Sequence, residues 1–166
     1  MATWSEFAAA APRMARDVKT LIHQYGPGFG YLATVRSDGG PRVHPVSPVI
    51  TDSGLFCFLM PSPKRRDLER DGRFALHTFP PEGSDDEAYL TGVAWAVTDL
   101  RRRARIARAC RAAPRVDWRL FELRIQLAMV TRHSGPERTA AYQIWHAPGT
   151  SLPGSAQSGG VQARCA

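Results

Sequence analysis

Ser62-Pro63-Lys64-Arg65 is the stretch of this 166-residue chain whose residue types and spacing could do chemistry. Serine is a favoured helix N-cap and proline a favoured first helical residue. A helix that starts there offers unpaired backbone N–H groups and the positive end of its dipole. Lys64 and Arg65 add two cations at the same end, which makes the segment a candidate phosphate site. The competing reading is a capped surface helix with solvated basic residues. Upstream, Arg42, His44, Val46 and Pro48 alternate with Val43, Pro45, Ser47 and Val49. In an extended chain the two sets point to opposite faces.

Other chemistry finds little support. No nucleophile and base stand at a recognisable spacing, so no catalytic residue is assigned. His44, His77, His133 and His146 occur singly, without metal-ligand spacing. Asp85-Asp86-Glu87 reads as a solvated acidic loop rather than a cation site. No Gly-x-Gly-x-x-Gly precedes a helix, which argues against a Rossmann nucleotide site. Cys57, Cys110 and Cys165 are odd in number and lack Cys-x-x-Cys spacing, so neither a disulfide framework nor a zinc motif is indicated. A chain without an obvious catalytic set fits an enzyme whose cofactor does the chemistry.

The elements that must position these residues follow from periodicity and punctuation. Thr3-Trp4-Ser5-Glu6 is a capping box opening a short helix to about Ala10. Pro12 starts a second helix with the stripe Met14, Val18, Leu21 and Ile22, ended by Gly26. Gly30 to Arg36 is a strand, joined by the hairpin signal Ser37-Asp38-Gly39-Gly40 to a strand beginning at Pro41. Thr51-Asp52-Ser53-Gly54 is a turn. It leads to the apolar strand Leu55 to Met60, which is expected to pair next and extend an antiparallel meander. Lys64 to Arg70 is a short helix, Arg73 to Phe79 a strand, and Glu87 to Thr98 a long strand with Gly92 as a candidate bulge. Asp99 caps a helix to Ala113. Its apolar stripe is Leu100, Ala104, Ile106, Cys110 and Ala113, and its arginines are expected to be solvated. Trp118 to His133 is a long strand with Phe121, Leu123, Ile125, Leu127 and Met129 on one face. Ala140 to His146 is the last strand, and the Gly-, Ser- and Pro-rich sequence from Pro148 reads as a disordered tail. The expectation is one domain over residues 1–147 and a tail over 148–166. Many short-spaced strands with flanking helices suggest a mainly β barrel.

The strand Arg42-Val43-His44-Pro45-Val46, the segment Ser62-Pro63-Lys64-Arg65-Arg66-Asp67-Leu68 and the strand Arg73-Phe74-Ala75-Leu76-His77-Thr78 together resemble the FMN-binding split-barrel family, the pyridoxamine 5′-phosphate oxidase-like group. The resemblance runs from Thr3 to Ala147. It implies a six- to seven-stranded antiparallel split β-barrel with peripheral helices, with FMN held at a homodimer interface. Arg42, Val43, His44, Pro45, Val46 and Ser47 would then line the flavin, Ser62, Lys64 and Arg65 would hold the phosphate, and Trp145 would pack by the ring. Arg42, Lys64 and Arg65 suffice to neutralise a dianion. The C-terminal arginine–histidine motif of true pyridoxamine phosphate oxidases is absent, so the resemblance supports flavin binding more than vitamin B6 oxidation. It implies an oxidoreductase passing hydride between the ring and an unidentified small molecule. Relatives of this kind also include reductases using the deazaflavin coenzyme F-420. A non-enzymatic flavin or haem carrier, with His44 or His146 as ligand, is the remaining alternative.

The formal charge is +7, nearly all of it arginine, since Lys19 and Lys64 are the only lysines. Such a surface favours anionic partners. The arginines are nevertheless spread along the chain, and the 99–113 helix lacks aromatic stacking partners and base-reading amides, so nucleic acid is not the expected partner. No apolar run approaches a membrane span, and no signal-peptide pattern opens the chain. The expected location is the cytoplasm.

Overall fold

The computed structural model describes residues 1–110, 116–135 and 137–149. The order of elements is α1 (Trp4–Ala10), α2 (Pro12–His23), β1 (Gly30–Val35), β2 (Pro41–Val46), β3 (Val49–Thr51), β4 (Gly54–Leu59), α3 (Pro63–Arg70), β5 (Arg73–Thr78), β6 (Glu87–Ala96), α4 (Leu100–Ala109), β7 (Arg119–Ser134) and β8 (Thr139–His146). The helix starts follow local chemistry. Thr3 and Glu6 form the reciprocal capping box, Ser62 caps α3 and Asp99 caps α4.

All strand pairings are antiparallel, in the order β2-β1-β5-β6-β7-β4-β3, with β8 also on β7. The two outer strands of that order, β2 and β3, are joined by Ser47 and Pro48 alone. A two-residue link reaches only about 10 Å between the strand ends. The sheet must therefore curl until its edges nearly meet, although no ladder between β2 and β3 closes it. Gly28 makes room for this link. Its φ is +107°, and a Cβ there would stand 2.3 Å from the Pro48 carbonyl oxygen.

The split lies along β7. One of its edges pairs with β6 over Phe121 to Thr131. The other pairs with β4 over Arg119 to Glu122 and with β8 over Leu127 to Ser134. Ala2 fills the gap between them by exchanging hydrogen bonds with Ile125, at 2.7 and 2.8 Å. Leu32, Leu76, Leu90, Leu123, Ile125 and Val130 form the inner surface, which packs on Phe7 of α1 and Val18 and Ile22 of α2. A smaller core of Phe56, Val97, Ile106 and Leu120 lies under α4.

Several expectations are corrected. The Pro41 strand does not pair with the Leu55 strand. β2 pairs only with β1, and β4 pairs with β3 and β7. Pro45 has no N–H to extend a ladder, and proline in sheets belongs on edges. The chain therefore breaks at Ser47-Pro48 and resumes as β3 on the far edge. β7 does not keep one face throughout. At Gly92 the register with β6 shifts, so Phe121, Leu123 and Ile125 are buried but Leu127 and Met129 are not, and Ala128 and Val130 take the inward places. Leu100 is 72% exposed rather than part of a stripe, and Arg102 is not solvated. The acidic loop is not wholly solvated either, since Asp86 accepts from the Arg132 side chain and the His133 N–H. Ala113 and nearly all of the expected tail lie outside the described residues.

Candidate functional site

A groove of about 700 Å³ lies between the C-terminal end of β2, strand β4, the start of α3 and the end of α4. Pro45, Val46, Ser47, Ser62 and Lys64, five of the residues singled out in the sequence, line it. Phe29, Cys57, Phe58, Met60, Cys110 and Trp118 add apolar and aromatic walls. Lys64 is the only charged side chain among the described lining residues. Its Nζ donates to the Pro45 carbonyl at 3.1 Å, so the cation is held across the mouth of β2. The Ser62 hydroxyl donates to the Met60 carbonyl at 2.9 Å and accepts from the Arg65 N–H at 3.4 Å.

The other expected residues lie elsewhere. β2 alternates as an extended strand must. Arg42, His44 and Val46 turn to the inner surface, while Val43 and Pro45 turn outward. Arg42 Nε donates to Asp67 at 2.7 Å and does not line the groove. His44 has a buried Nε2 with no hydrogen-bond partner. Arg65, with its side chain 15% exposed, is neutralised by Glu69 at 3.3 Å and Asp117 at 3.2 Å. Trp145 packs on Phe7, with ring centroids 4.8 Å apart, and does not reach the groove of its own chain.

Of the two groove cysteines Cys57 is the buried one, and burial pushes its thiol up to about 12, against the pull of the nearby Lys64 charge. It is therefore a neutral wall residue at ordinary pH. Cys110 and Trp118 carried no sequence signal for this site, because they arrive from α4 and β7 by long-range packing. The aromatic contact between Phe58 and Trp118, edge-on with centroids 4.8 Å apart, closes that side. Phe29 also borders a second trough of about 620 Å³ with Tyr25 and Phe79, whose rings lie 5.7 Å from one another edge-on. Among the described residues no three His, Cys, Asp or Glu side chains converge as metal ligands, and no helix is long and apolar enough to cross a membrane.

No family profile and no curated protein matches the sequence. Solved structures do match. A candidate pyridoxamine 5′-phosphate oxidase from Listeria innocua superposes with a TM-score of 0.57 at 13% identity, over 69% of this chain and 95% of that one. The fold is the pyridoxamine 5′-phosphate oxidase-like split barrel. An F-420 reductase matches at TM-score 0.52 and 19% identity, over 66% of this chain and 93% of that one. A haem-binding protein from Mycobacterium smegmatis matches at TM-score 0.56 and 18% identity, over 76% of this chain. This chain spans 57% of the length of that last protein. Split barrels similar to this one therefore include both a haem-binding protein and an F-420 reductase.

Proposed function

We propose that this chain binds FMN in the groove and acts, as a homodimer, as an oxidoreductase on a small molecule. The observation that carries this reading is the groove's polarity. Its described lining is mostly apolar and aromatic, with one cation, Lys64, held at the end of β2, and two serines, Ser47 and Ser62. A phosphate on a flat, largely apolar ring system asks for that distribution, and the volume suits a ligand of that size. FMN would supply hydride chemistry when bound. The chain's own part is to hold the phosphate with Lys64, Ser62 and Ser47, to orient the ring against Val46, Phe58 and Trp118, and to exclude water from it. Arg65 and Arg42, each held by carboxylates, contribute to the field around Lys64 rather than a free charge. Trp145 would meet the ring only from a second copy.

The absorption spectrum of the purified protein, followed by titration with FMN and with riboflavin, tests this. FMN should bind more tightly than riboflavin by about one to two orders of magnitude, from charge-assisted bonds of roughly 1.5–3 kcal/mol to the phosphate. Equal affinities would remove the phosphate from the reading. A haem-binding module is the second reading, and the unpartnered His44 Nε2 favours it. Against it, His44 does not line the groove. A Soret band, rather than flavin bands, would decide for haem. The deazaflavin coenzyme F-420 would suit the same apolar walls, but its longer phosphodiester tail asks for more cations than Lys64 provides.

A further inference from the structure

Few side chains attach α4 to the sheet. Ile106 is the helix's one buried residue, and Leu100 at its start is exposed. Among the described residues, Cys110 also packs on the Phe56 and Ile106 core, and two arginines of the helix reach the sheet. Arg102 donates to Glu122 Oε2 at 2.9 Å, and its guanidinium lies 5.5 Å from the centroid of the Phe56 ring. Arg103 lies 5.4 Å from the centroid of Trp118. Cys110, which ends the helix, lines the ligand groove, and so does Trp118. The contacts that hold α4 down therefore also set one wall of the groove.

Glu122 is buried, yet it does not depend on Arg102 alone. Arg124 stands 3.3 Å from the same Oε2 and lies over the Trp95 ring. Breaking a buried ion pair is costly chiefly because one charge is left without a partner. Glu122 keeps Arg124 when Arg102 departs. The Arg102 contact can thus open while the barrel beneath it stays paired.

We propose that Arg102 is a positioning residue for the groove. Its bond to Glu122 holds α4, and with it the wall made by Cys110 and Trp118, so Arg102 sets how readily the groove opens and how long a ligand stays. For the identity of the ligand this rests on the FMN reading; for the wall itself it does not. Arg101, Arg105 and Arg108 on the same helix are exposed and supply matched controls. Removing Arg105 deletes the same charge without touching Glu122.

The test uses the full chain carrying Cys165→Ser, with Arg102→Met or Arg105→Met added. Cys57 is buried with its thiol pushed up to about 12, so labelling by Ellman's reagent reads Cys110. Without any ligand, Arg102→Met should raise the Cys110 labelling rate about tenfold, and Arg105→Met should leave it within about twofold, as expected when a local opening equilibrium controls access. FMN should also leave the Arg102 variant about tenfold faster than the parent, with a smaller change in its association rate. Unchanged labelling in Arg102→Met overturns the proposal, and so does an equal rise in the Arg105 variant, which would assign the effect to charge. If the parent chain binds no FMN but the labelling contrast appears, the cofactor reading fails and the wall stands. Should Arg102→Met lose its cooperative melt, Arg102→Gln is measured in its place against the same thresholds.

Discussion

Asp67 accepts hydrogen bonds from Thr34 Oγ1 at 2.9 Å and Arg42 Nε at 2.7 Å while almost wholly buried. Burial alone would push this carboxyl up. The hydrogen bonds from Arg42 and Thr34, the Arg42 charge and a bond from Arg70 outweigh it, so the group titrates below the usual carboxylate range. A carboxyl depressed in the folded state stabilises the fold fully above its unfolded pKa, near 4, and loses that contribution as pH falls through the lower folded value. Asp86 behaves likewise: burial pushes up, and the His133 N–H, Arg132 and Ser84 together pull it below its ordinary value. Asp67→Asn should therefore cost roughly 2–4 kcal/mol at neutral pH. Thermal melts should show the gap to wild type narrowing below about pH 4. A gap that stays constant down to pH 3 would assign the loss to shape rather than charge. Lys64 is the opposite case, a cation free of any carboxylate partner among the described residues. Lys64→Ala should weaken FMN binding about tenfold to a hundredfold. Its melting temperature should stay nearly unchanged, because a half-exposed lysine contributes little to stability. Flavin fluorescence titration reads the first and calorimetry the second, and equal FMN affinities would take Lys64 out of the site. The contrast between these residues marks how far the site was legible in the sequence. Composition singled out Lys64 as one of two lysines. The i,i+4 spacing of Arg65 and Glu69 was a local signal, but nothing local could say that Asp67 engages Arg42 or Asp117 engages Arg65, since those partners lie 25 and 52 residues apart.

Gly92 joins two elements, and its place shows what a single backbone position can fix. A Cβ there would stand 1.8 Å from the Arg124 carbonyl oxygen, at the point where the β6–β7 register shifts. Forcing a methyl group into that contact requires the bulge to move, and overpacking of this kind costs about 1–3 kcal/mol or more. In a chain of this size each kcal/mol is about 2–4 °C in melting temperature. Gly92→Ala should therefore melt roughly 5–10 °C lower, as read by circular dichroism. A melt unchanged by the methyl group would mean that the bulge is soft. Glycine in the middle of an apolar strand announced this bulge in the sequence. The hairpin β1–β2, the capped helices and the long β6 and β7 were legible for the same reason, since caps, turns and alternation are local. The partner of β4 was not. Gly54 to Leu59 is so evenly buried that its composition carries no register, and its partners Arg119 to Glu122 lie far along the chain, beyond two further strands and two helices. Ser47-Pro48 was read as part of one strand because the alternation around it is good. Only the two prolines without N–H groups hinted that the ladder ends there.

The outer surface of the whole sheet remains unexplained by one chain. Directly opposite residues in an antiparallel sheet share a face. Pro45, Tyr31, His77, Tyr89, Met129 and Ile144 therefore make one row across five pairings. Val43, Ala33, Ala75, Thr91, Leu127 and His146 make the next. None of the twelve is buried, and Val43 at 59% and Ile144 at 58% are among the most open apolar residues of the fold. An apolar face of this breadth marks an interaction surface. We propose a second copy of this chain as the occupant, which would seat Ile144 and His146 of β8 at the contact while Trp145 stays packed on Phe7. A stable contact of this kind buries on the order of 1,000 Å² or more. Val43 and Ile144 sit at opposite ends of the two rows and contribute nothing to the inner core, so Val43→Glu and Ile144→Glu place charge on the face without disturbing the fold. Wild type should sediment as a dimer at micromolar concentration. The double variant should sediment as a monomer with an unchanged far-ultraviolet circular dichroism spectrum, because an unpaired carboxylate strongly opposes burial at an interface. FMN affinity should fall with the dimer, and it should recover in neither single variant that remains monomeric. A wild-type chain that sediments only as a monomer would leave the apolar face without its second copy. A double variant that stays dimeric would move the interface to another surface.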